Sequence, residues 1–581
     1  MYKKIRTGSG FRKKRNPRRE NNKEKNMKKK IIGLALSATM LASCTGIAAC
    51  GRTRIDDGDD GTKTVLTVAN YAGGFGEKWI VEMKNKFEKK YAETEFEPGK
   101  KGAVIKISQQ HDGGTQYFSK VDASPEEVFF IEDVDYAAWV NKKKMLDITD
   151  VVNAADTSDG KTILSKLNDE QKSFYDMDGK YYALPHHDHQ TGLIYDVDLF
   201  TDEGLFYAKN GAPSEAEFTG TVKFTGGENR SAGPDGQYGT ADDGLPATYD
   251  EFYALCDYMT DKNSDVDIKP ILWSGTNKQD YIDWLLAELT ADYEGREQLR
   301  LNYTFDGTAK NLIEIDKSGN VIALPETTIT SENGYMIYKS AGRYNALKFL
   351  EKIVKSSAWY DYSKNFGTLS QTEAQYQFLL GATGLAETRF AILADGCWWE
   401  NEATTSFDRL VDMKGEAYSK ASRNFAFMPL PKATVDKIGE RFTIATTDVT
   451  TAFIKSTIKE SKVKLAKEFL KFCYAEEQLQ TFNKVSGSPA SVDYTLGKDD
   501  YTALSSYAKS LYDVRKNVVS PYSQNPIYVN NYGSLKLIAT FTAGGDRAVN
   551  SLKDMTAEQF FRNLYAMKSE ASWTQSYSKY F

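Results

Sequence analysis

Three of the four histidines of the chain lie together in the segment His186-His187-Asp188-His189. Neutral imidazoles are good zinc ligands. On a β-strand, alternate side chains face opposite ways, so His187 and His189 share one face while His186 and Asp188 take the other. A metal on the His187 face would need a further ligand from elsewhere in the chain. The histidines His187 and His189 therefore have three possible roles: contact with a bound solute, metal binding, or a structural role in a hinge.

A pair of tryptophans follows an apolar run in the segment 390–402, FAILADGCWWENE. The run predicts a buried strand that breaks at Asp395-Gly396, with Trp398 and Trp399 just past the break. Aromatic rings stack on the C–H faces of sugars, and such rings line ligand clefts. We expect at least one indole to face a cleft; the alternative is that both belong to the core.

Catalytic motifs are not evident. The sequence has no Gly-x-Ser-x-Gly elbow, no phosphate-binding loop and no Cys/His arrangement of defined geometry. The adjacent carboxylates Glu132 and Asp133 are present, but any acidic protein has such pairs. A binding role is therefore favoured, and a glycan-acting lipoprotein enzyme is the rival class.

A glycine-rich loop, 233–244 (GPDGQYGTADDG), contains three aspartates. The carboxylates of Asp235, Asp242 and Asp243 are the kind of oxygen ligand that calcium prefers. The loop lacks the spacing and the terminal glutamate of an EF-hand. A structural calcium site is therefore weighed against a solvated turn, and no cofactor is expected to be required.

The N-terminal segment indicates where the protein resides. Met27 and three lysines precede an apolar run rich in small residues, 31–51 (IIGLALSATMLASCTGIAACG), which is typical of a secretory signal. Its end resembles a bacterial lipobox, so Cys50, or alternatively Cys44, is expected to be lipidated; ordinary signal cleavage is the other interpretation. Residues 1–26 are expected to be a dispensable or misassigned extension. The signal peptide would span 27–49, and a flexible tether would span 50–64.

Composition is that of a globular protein, with 41% hydrophobic and 27% charged residues. The net charge of −6 understates the acidity of the exported part, because residues 1–30 carry 14 Lys and Arg but only 2 Asp and Glu. An anionic surface argues against nucleic acid as a partner. Beyond the signal, Cys256, Cys397 and Cys473 are isolated and are predicted to be buried apolar residues rather than disulfides.

Strands and helices alternate in the first part of the exported chain. The run 65–70 (VLTVAN) is followed by a helix with Trp79 and Phe87 on one face, and the runs 104–108 (VIKIS) and 128–131 (VFFI) predict further strands. This rhythm indicates a parallel α/β sheet. Ligands of such sheets lie at the carboxyl ends of the strands.

Later segments supply the remaining elements. Thr248, with a glutamate three residues on, predicts a helix N-cap. The run 271–274 (ILWS) predicts a strand, and a helix carrying Tyr281 and Trp284 follows it. The segment 461–483 has the periodicity of one long amphipathic helix.

Four segments carry a family resemblance: VANYAGGFGEKWIVEMKNKFEKKY, EEVFFIEDVDYAAW with MLDIT, ALPHHDHQTGLIYDVDLF, and ADGCWWENE with FAFMPLP. In this order they resemble the extracellular solute-binding proteins of ABC importers, specifically the carbohydrate-binding family that includes maltose-binding protein. They are similar to that family's first strand, glycine loop and helix, its second ligand loop, its interdomain strand and its Asn-Gly-x-Trp loop. The match runs from about Val65 to Trp573.

The resemblance implies an α/β fold of the two-lobed, type II periplasmic-binding-protein class, with hinge-connected lobes and a ligand cleft between them. It also implies two chain segments for each lobe. Lobe 1 would comprise residues 65–188 and about 446–498. Lobe 2 would comprise residues 190–443 and about 502–581. The chain crossings would lie near 186–191, near 443–447 and near 495–505.

The resemblance further implies that ligand contacts come from both lobes. Trp398 matches the family's stacking tryptophan, whereas His189 stands where an acidic contact is usual, which leaves the identity of the sugar open. The full set of implied ligand-binding residues is Gly73, Gly74, Phe75, Glu132, Asp133, His187, His189, Trp273, Tyr281, Trp284, Asp395, Trp398, Trp399, Tyr528 and Tyr532.

The function implied by the resemblance is that of a receptor. A lipid-anchored monomer on the extracytoplasmic face of the bacterial cell membrane would capture a mono- or oligosaccharide and deliver it to ABC permease subunits. The acidic, aromatic cleft also suits a cation through cation–π contact. A polyamine, a peptide or a metal is therefore the alternative solute.

Overall fold

The structure, a computed structural model, describes residues 61–577 except 157–158, 211–215, 219–221, 263–266, 361–367, 445–447, 518–539 and 544. Its main strands form a five-stranded and a four-stranded sheet. In chain order these strands are β1 (Thr64–Tyr71), β2 (Ala103–Gln110), β3 (Val128–Ile131), β4 (Ala183–His189), β5 (Thr191–Asp196), β6 (Asp267–Trp273), β7 (Thr388–Gly396), β8 (Phe425–Met428) and β9 (Asp448–Ile454).

The five-stranded sheet, which defines lobe 1, has the order β2-β1-β3-β9-β4. Strand β1 pairs in parallel with β2 and β3, as the strand–helix–strand rhythm predicts. Strand β9 runs antiparallel between β3 and β4. The sheet is therefore mixed rather than parallel throughout, because β9 returns from the other lobe instead of following a crossover helix.

The four-stranded sheet, which defines lobe 2, has the order β6-β7-β5-β8. Strands β6 and β7 are parallel, whereas β5 is antiparallel to both β7 and β8. The backbone N–H groups of Phe425 and Phe427 in β8 donate to the hydroxyls of Ser506 and Ser510 at 3.0 and 2.9 Å. A helix thus covers the outer edge of this sheet, which would otherwise offer unpaired N–H groups.

The longer helices pack on these two sheets or on one another. In chain order they are α1 (Lys78–Lys90), α2 (Tyr249–Asp261), α3 (Lys278–Thr304), α4 (Ala341–Lys355), α5 (Gln371–Leu380), α6 (Thr404–Lys414), α7 (Glu460–Cys473), α8 (Glu476–Ser486), α9 (Ser506–Asn517) and α10 (Ala557–Met567). Shorter helices span Gly114–Tyr117, Tyr136–Asn141, Thr149–Asn153, Ile163–Lys166, Asp169–Tyr175, Val197–Asp202, Trp399–Glu402, Lys498–Thr502, Ala548–Ser551 and Glu570–Tyr577.

Small two- and three-stranded sheets and 3₁₀ turns complete the two lobes. The short strands are Glu95–Glu97, Lys100–Lys101, Phe206–Tyr207, Ala216–Phe218, Val222–Thr225, Gly307–Ala309, Ile313–Ile315, Val321–Ala323, Thr327–Ile329, Thr542–Ala543 and Asp546–Arg547. The 3₁₀ turns are Val121–Ala123, Gly334–Lys339, Gly381–Thr383, Glu416–Tyr418 and Val435–Lys437.

The chain passes between the lobes at Gln190, which separates β4 from β5, and returns between β8 and β9. It leaves lobe 1 again after α8, and α9 then packs on β8. These crossings place the two halves of the molecule on a shared hinge. The two-lobed α/β architecture expected from the family resemblance is confirmed.

Several local predictions are also confirmed. Trp79 and Phe87 in α1 are buried, and Thr248 caps α2 by accepting a hydrogen bond from the Glu251 N–H at 3.3 Å. The prediction of one helix over 461–483 is wrong. The extended backbone of Ala475 (ψ 150°) separates α7 from α8, and this turn brings α8 back against α1.

The core is aromatic and aliphatic in both lobes. Cys256, Cys397 and Cys473 are free, buried thiols, as predicted. Within the described residues, none of the helices combines the length and apolar character needed to cross a membrane.

Candidate functional site

The two lobes touch where the loop after β1 meets the loop after β7. The Asn401 side-chain amide donates to the Gly74 carbonyl at 2.6 Å. A Cβ atom added to Gly74 would lie 2.5 Å from Trp398 Cγ, so only glycine permits this approach. We call this contact the interlobe seam; the loops that form it follow the carboxyl ends of their strands, as predicted.

An aromatic cluster forms the lobe-2 side of the interlobe seam. Trp398 lies edge-on to both Tyr281 and Trp284, with ring centroids 6.1 Å apart in each pair. Tyr281 and Trp284 are three residues apart on α3 and therefore project from the same face. Burial and the nearby Asp395 carboxylate raise the pKa of the Tyr281 hydroxyl well above its ordinary value. The structure thus brings together three of the aromatic residues that the sequence singles out.

Phe75 and the histidine pair form the lobe-1 side. The Phe75 ring centroid lies 3.8 Å from that of His187 and 5.6 Å from that of His189. Trp398 approaches from lobe 2, with its ring 6.4 Å from Phe75 and 5.6 Å from His189. Aromatic surfaces from both lobes therefore face each other across the seam.

A polar cluster lies behind Phe75. His187 and His189 share one face of β4, as strand alternation predicts, and their rings are parallel with centroids 5.4 Å apart. Their Nε2 atoms lie 2.6 and 3.3 Å from the Thr450 hydroxyl of β9. His189 Nε2 is also 3.3 Å from Glu132 Oε1. Burial lowers the pKa of His187 well below its usual value, and the neighbouring histidines act in the same direction.

The other residues of the histidine segment point away from this cluster. His186 is enclosed by Trp79, Phe130 and Phe482, with ring centroids 4.5, 4.9 and 4.7 Å away. Burial lowers its pKa to about 3. Asp188 accepts a hydrogen bond from the Ser491 hydroxyl at 2.8 Å and lines a groove of about 950 Å³ on the hinge side of β4.

Asp133 and Asp395 occupy other positions than the sequence suggests. Asp133 is exposed with φ 56°, and a Cβ on Gly113 would lie 3.3 Å from its Oδ2, so its carboxylate lies against that loop. Asp395 is buried and accepts hydrogen bonds from its neighbour Gly396 N–H at 2.7 Å and from Gln375 Nε2 at 3.0 Å. It therefore holds the Trp398 loop from beneath instead of facing the seam.

A buried carboxyl pair supports that loop. Gln375 Nε2 donates to Glu402 Oε2 at 2.6 Å as well as to Asp395. Burial and the proximity of Glu402 raise the pKa of Asp395 well above its ordinary value. Sequence reasoning missed Gln375, Glu402, Asn401 and Thr450. Glu402 and Asn401 follow the tryptophan pair directly, but Gln375 and Thr450 come from distant segments without a local signal.

Two of the predicted ligand-binding tryptophans are core residues, which corrects the sequence prediction. Trp399 is 0% exposed, with its ring 5.1 Å from Phe425 and 5.5 Å from Tyr507. Trp273 is also 0% exposed and stacks on Tyr360 at 3.8 Å. Each ring is enclosed by the apolar layer of lobe 2, so neither offers a face to the seam.

The predicted calcium loop is organised by hydrogen bonds of its own. Asp235 accepts from Gln237 N–H, Asp242 from Asp235 N–H and the Thr240 hydroxyl, and Asp243 from Gly239 N–H, at 2.6–3.0 Å. These bonds explain the aspartates as turn-forming residues, and calcium binding stays a prediction. Tyr528, Tyr532, Cys44 and Cys50 lie outside the described residues.

No family model matches the chain, and no curated protein does. Solved structures share the fold. The solute-binding protein (SBP) RafE in complex with raffinose matches with a TM-score of 0.50 and 14% sequence identity. The match covers 88% of this chain and 100% of the RafE chain. Apo RafE from Streptococcus pneumoniae matches equally, with 89% and 100% coverage. A chitin oligosaccharide binding protein has a TM-score of 0.53 and 16% identity, with 88% and 99% coverage.

These identities are low, so the likeness concerns the fold. Coverage of nearly the whole of each solved chain shows that both lobes and their hinge are shared, rather than one lobe alone. The chain therefore has the two-lobed fold of these solute-binding proteins.

Proposed function

We propose that this protein binds a carbohydrate, a mono- or oligosaccharide, between its two lobes. The observation that carries the proposal is the position of Trp398, at the interlobe seam, flanked by Tyr281 and Trp284 and opposed by Phe75. Sugars present apolar C–H faces and hydroxyls, and aromatic surfaces close to carboxylates such as Glu132 complement both. Two solved proteins of this fold are described as bound to raffinose and as binding chitin oligosaccharide, which supports the assignment.

The proposed mode of action is insertion of the sugar between the lobes, which then hold it from both sides. In the described arrangement the lobes are in contact through Asn401 and Gly74. A sugar entering between them would separate Trp398 from Phe75 and stack on the indole that this separation uncovers. Its binding energy would then come from lobe–ligand contacts that replace the lobe–lobe contacts, as in hinge closure around other ligands. The role needs no chemical step and no required cofactor.

The cellular role follows from the predicted signal and lipobox. We place the mature protein, anchored through Cys50 or Cys44, on the extracytoplasmic face of a bacterial membrane. It acts as a monomer that presents sugar to the permease subunits of an ABC importer. Mass spectrometry of the mature N-terminus tests the anchor: a diacylglycerol-modified cysteine supports it, and an unmodified one contradicts it.

A thermal-shift screen of the protein from Thr62 onward tests sugar binding. The panel contains mono- and oligosaccharides, polyamines and peptides. A ligand well above its dissociation constant raises the melting temperature by mass action. A shift with one sugar class, unaffected by added salt, supports the proposal. A polyamine-induced shift that decreases as salt is added would identify a cation, rather than a sugar, as the ligand. Turnover of a glycan would instead favour an enzyme.

A further inference from the structure

We propose that Glu132, His187 and His189 form a binding site for a divalent transition metal of the zinc class on the lobe-1 side of the interlobe seam. One ligand atom from each of the three side chains lies within 4.8 Å of the others. In the part of the chain that the structure describes, no other set of three or more His, Cys, Asp and Glu side chains converges in this way.

The spacing of the donors is close to that of a tetrahedral zinc site. With bonds of about 2.0–2.2 Å, two donors on a tetrahedral zinc lie roughly 3.3 Å apart. His189 Nε2 and Glu132 Oε1 already stand 3.3 Å apart. The donor nitrogen of His187 lies within 4.8 Å of both atoms, and a rotation of its ring would bring it to ligand distance.

The chemistry of the donors selects the class of metal. Two imidazole nitrogens and one carboxylate oxygen suit zinc and its neighbours, whereas magnesium and calcium prefer oxygen ligands alone. Three protein ligands leave a coordination position for water or a solute oxygen. The strand alternation that separates His187 from His186 leaves two imidazoles on one face, and the loop after β3 supplies the third ligand.

The surroundings of His187 leave one of its two ring nitrogens available to an ion. His187 is 4% exposed, and its Nδ1 atom has no hydrogen-bond partner among the described residues. Ligation of a metal through Nδ1 would give this buried atom a partner, while His187 Nε2 would keep its 2.6 Å contact with the Thr450 hydroxyl. Phe75 covers the cluster at 3.8 Å from His187 and shields it from solvent, which strengthens the attraction between a cation and Glu132.

The metal site shares Glu132 with the sugar-binding proposal, but zinc binding can be measured without any sugar. All three ligands belong to lobe 1, on β4 and on the loop after β3, and the neighbouring Thr450 is on β9 of the same sheet. Metal binding therefore needs neither lobe closure nor a solute. It goes beyond sugar capture by adding a bound ion to lobe 1.

Zinc titration of the full chain tests the inference without any sugar present. The protein, stripped with a chelator, is titrated with Zn²⁺ in competition with a chromophoric chelator. We expect one equivalent per chain in wild type and at least tenfold weaker binding in His187→Gln, His189→Gln and Glu132→Gln. At the two histidine positions, glutamine keeps a polar group next to the Thr450 hydroxyl.

Two variants serve as controls for zinc binding. Asp133→Asn removes the adjacent carboxylate, which lies against Gly113, and His111→Gln removes an exposed histidine. Both should bind zinc as wild type does. Equal zinc affinity in the three site variants, or no stoichiometric zinc in wild type, would overturn the inference.

Anomalous X-ray diffraction at the zinc edge gives an answer even if the site variants fold poorly. Wild-type crystals grown with one equivalent of zinc should show a peak between the three side chains. A peak elsewhere, or none, rejects the site. Failure of the sugar screen with a peak at this position would reject only the sugar proposal.

Discussion

Trp398 and Trp399 are neighbours in sequence but belong to different environments. The Trp398 ring lies 6.4 Å from Phe75 of the other lobe, whereas the Trp399 ring packs within lobe 2, 5.1 Å from Phe425. Trp398 immediately precedes the short helix that begins at Trp399, so the two indoles leave the backbone in different directions. This divergence separates a residue of the seam from a residue of the core.

Replacing Trp398 by alanine should weaken sugar binding without unfolding the protein. Loss of one stacking indole corresponds to about 1–3 kcal/mol of binding free energy. Titration calorimetry with the sugar found in the thermal screen measures the change. The melting temperature without ligand should fall less than in Trp399→Ala, because Trp398 is 8% exposed at the interlobe seam whereas Trp399 is 0% exposed. Unchanged affinity in a folded variant would remove Trp398 from the site.

Trp399→Ala is the matched comparison and should act on stability. A fully buried tryptophan truncated to alanine costs about 3–5 kcal/mol, because the cavity relaxes only in part. Urea unfolding followed by far-UV circular dichroism measures the loss, with Trp398→Ala under the same conditions. Equal loss in both variants would contradict the assignment of the two rings to different environments.

Gly74→Ala should prevent the lobes from meeting. The added methyl group would lie 2.4 Å from Trp398 Cβ and 2.5 Å from Cγ, and rotation of the Trp398 side chain does not move its Cβ. We expect each lobe to fold normally but the seam to stay open. Small-angle X-ray scattering should then give a larger radius of gyration than for wild type.

A second glycine provides the control for this variant. A methyl group added to Gly497 would have no heavy atom within 4 Å, and the φ angle of this residue is negative. Gly497→Ala should therefore keep the wild-type radius of gyration. A Gly74→Ala protein as compact as wild type would show that the seam accommodates the methyl group.

Much of the fold could be predicted from local patterns. The runs VLTVAN, VIKIS and VFFI all lie in strands of lobe 1, because continuous apolar runs mark strands buried on both faces. The antiparallel β9 could not be predicted in the same way. Its place between β3 and β4 depends on a return from lobe 2, which a local pattern does not encode.

The site shows the same division between local and distant signals. The shared face of His187 and His189 follows from the two-residue period of a strand. Their proximity to Thr450 and Glu132 depends on the order of strands in the sheet, and the separation of Trp399 from Trp398 depends on a turn that composition does not specify. Residue types therefore indicated the aromatic cluster, whereas sheet order determined which polar groups meet.

Asp283 should make stability depend on pH. It is buried on α3 next to Trp284, and it accepts a hydrogen bond from Arg547 at 2.5 Å. Burial raises its pKa from 3.8 to about 7, although Arg547 opposes the shift. Because the folded pKa lies above the unfolded one, the stabilising contribution is complete below about pH 4 and is lost as the pH rises through about 7.

Asp283→Asn should remove this dependence. A shift of three pKa units corresponds to about 4 kcal/mol. Between pH 4 and 8, the unfolding free energy of wild type should therefore fall relative to that of the variant by up to this amount. Urea unfolding across this range measures it. Asp280→Asn, which removes an exposed carboxylate 3.8 Å from the same arginine, should retain the wild-type profile. Parallel profiles for Asp283→Asn and wild type would mean that the buried carboxyl does not titrate in this window.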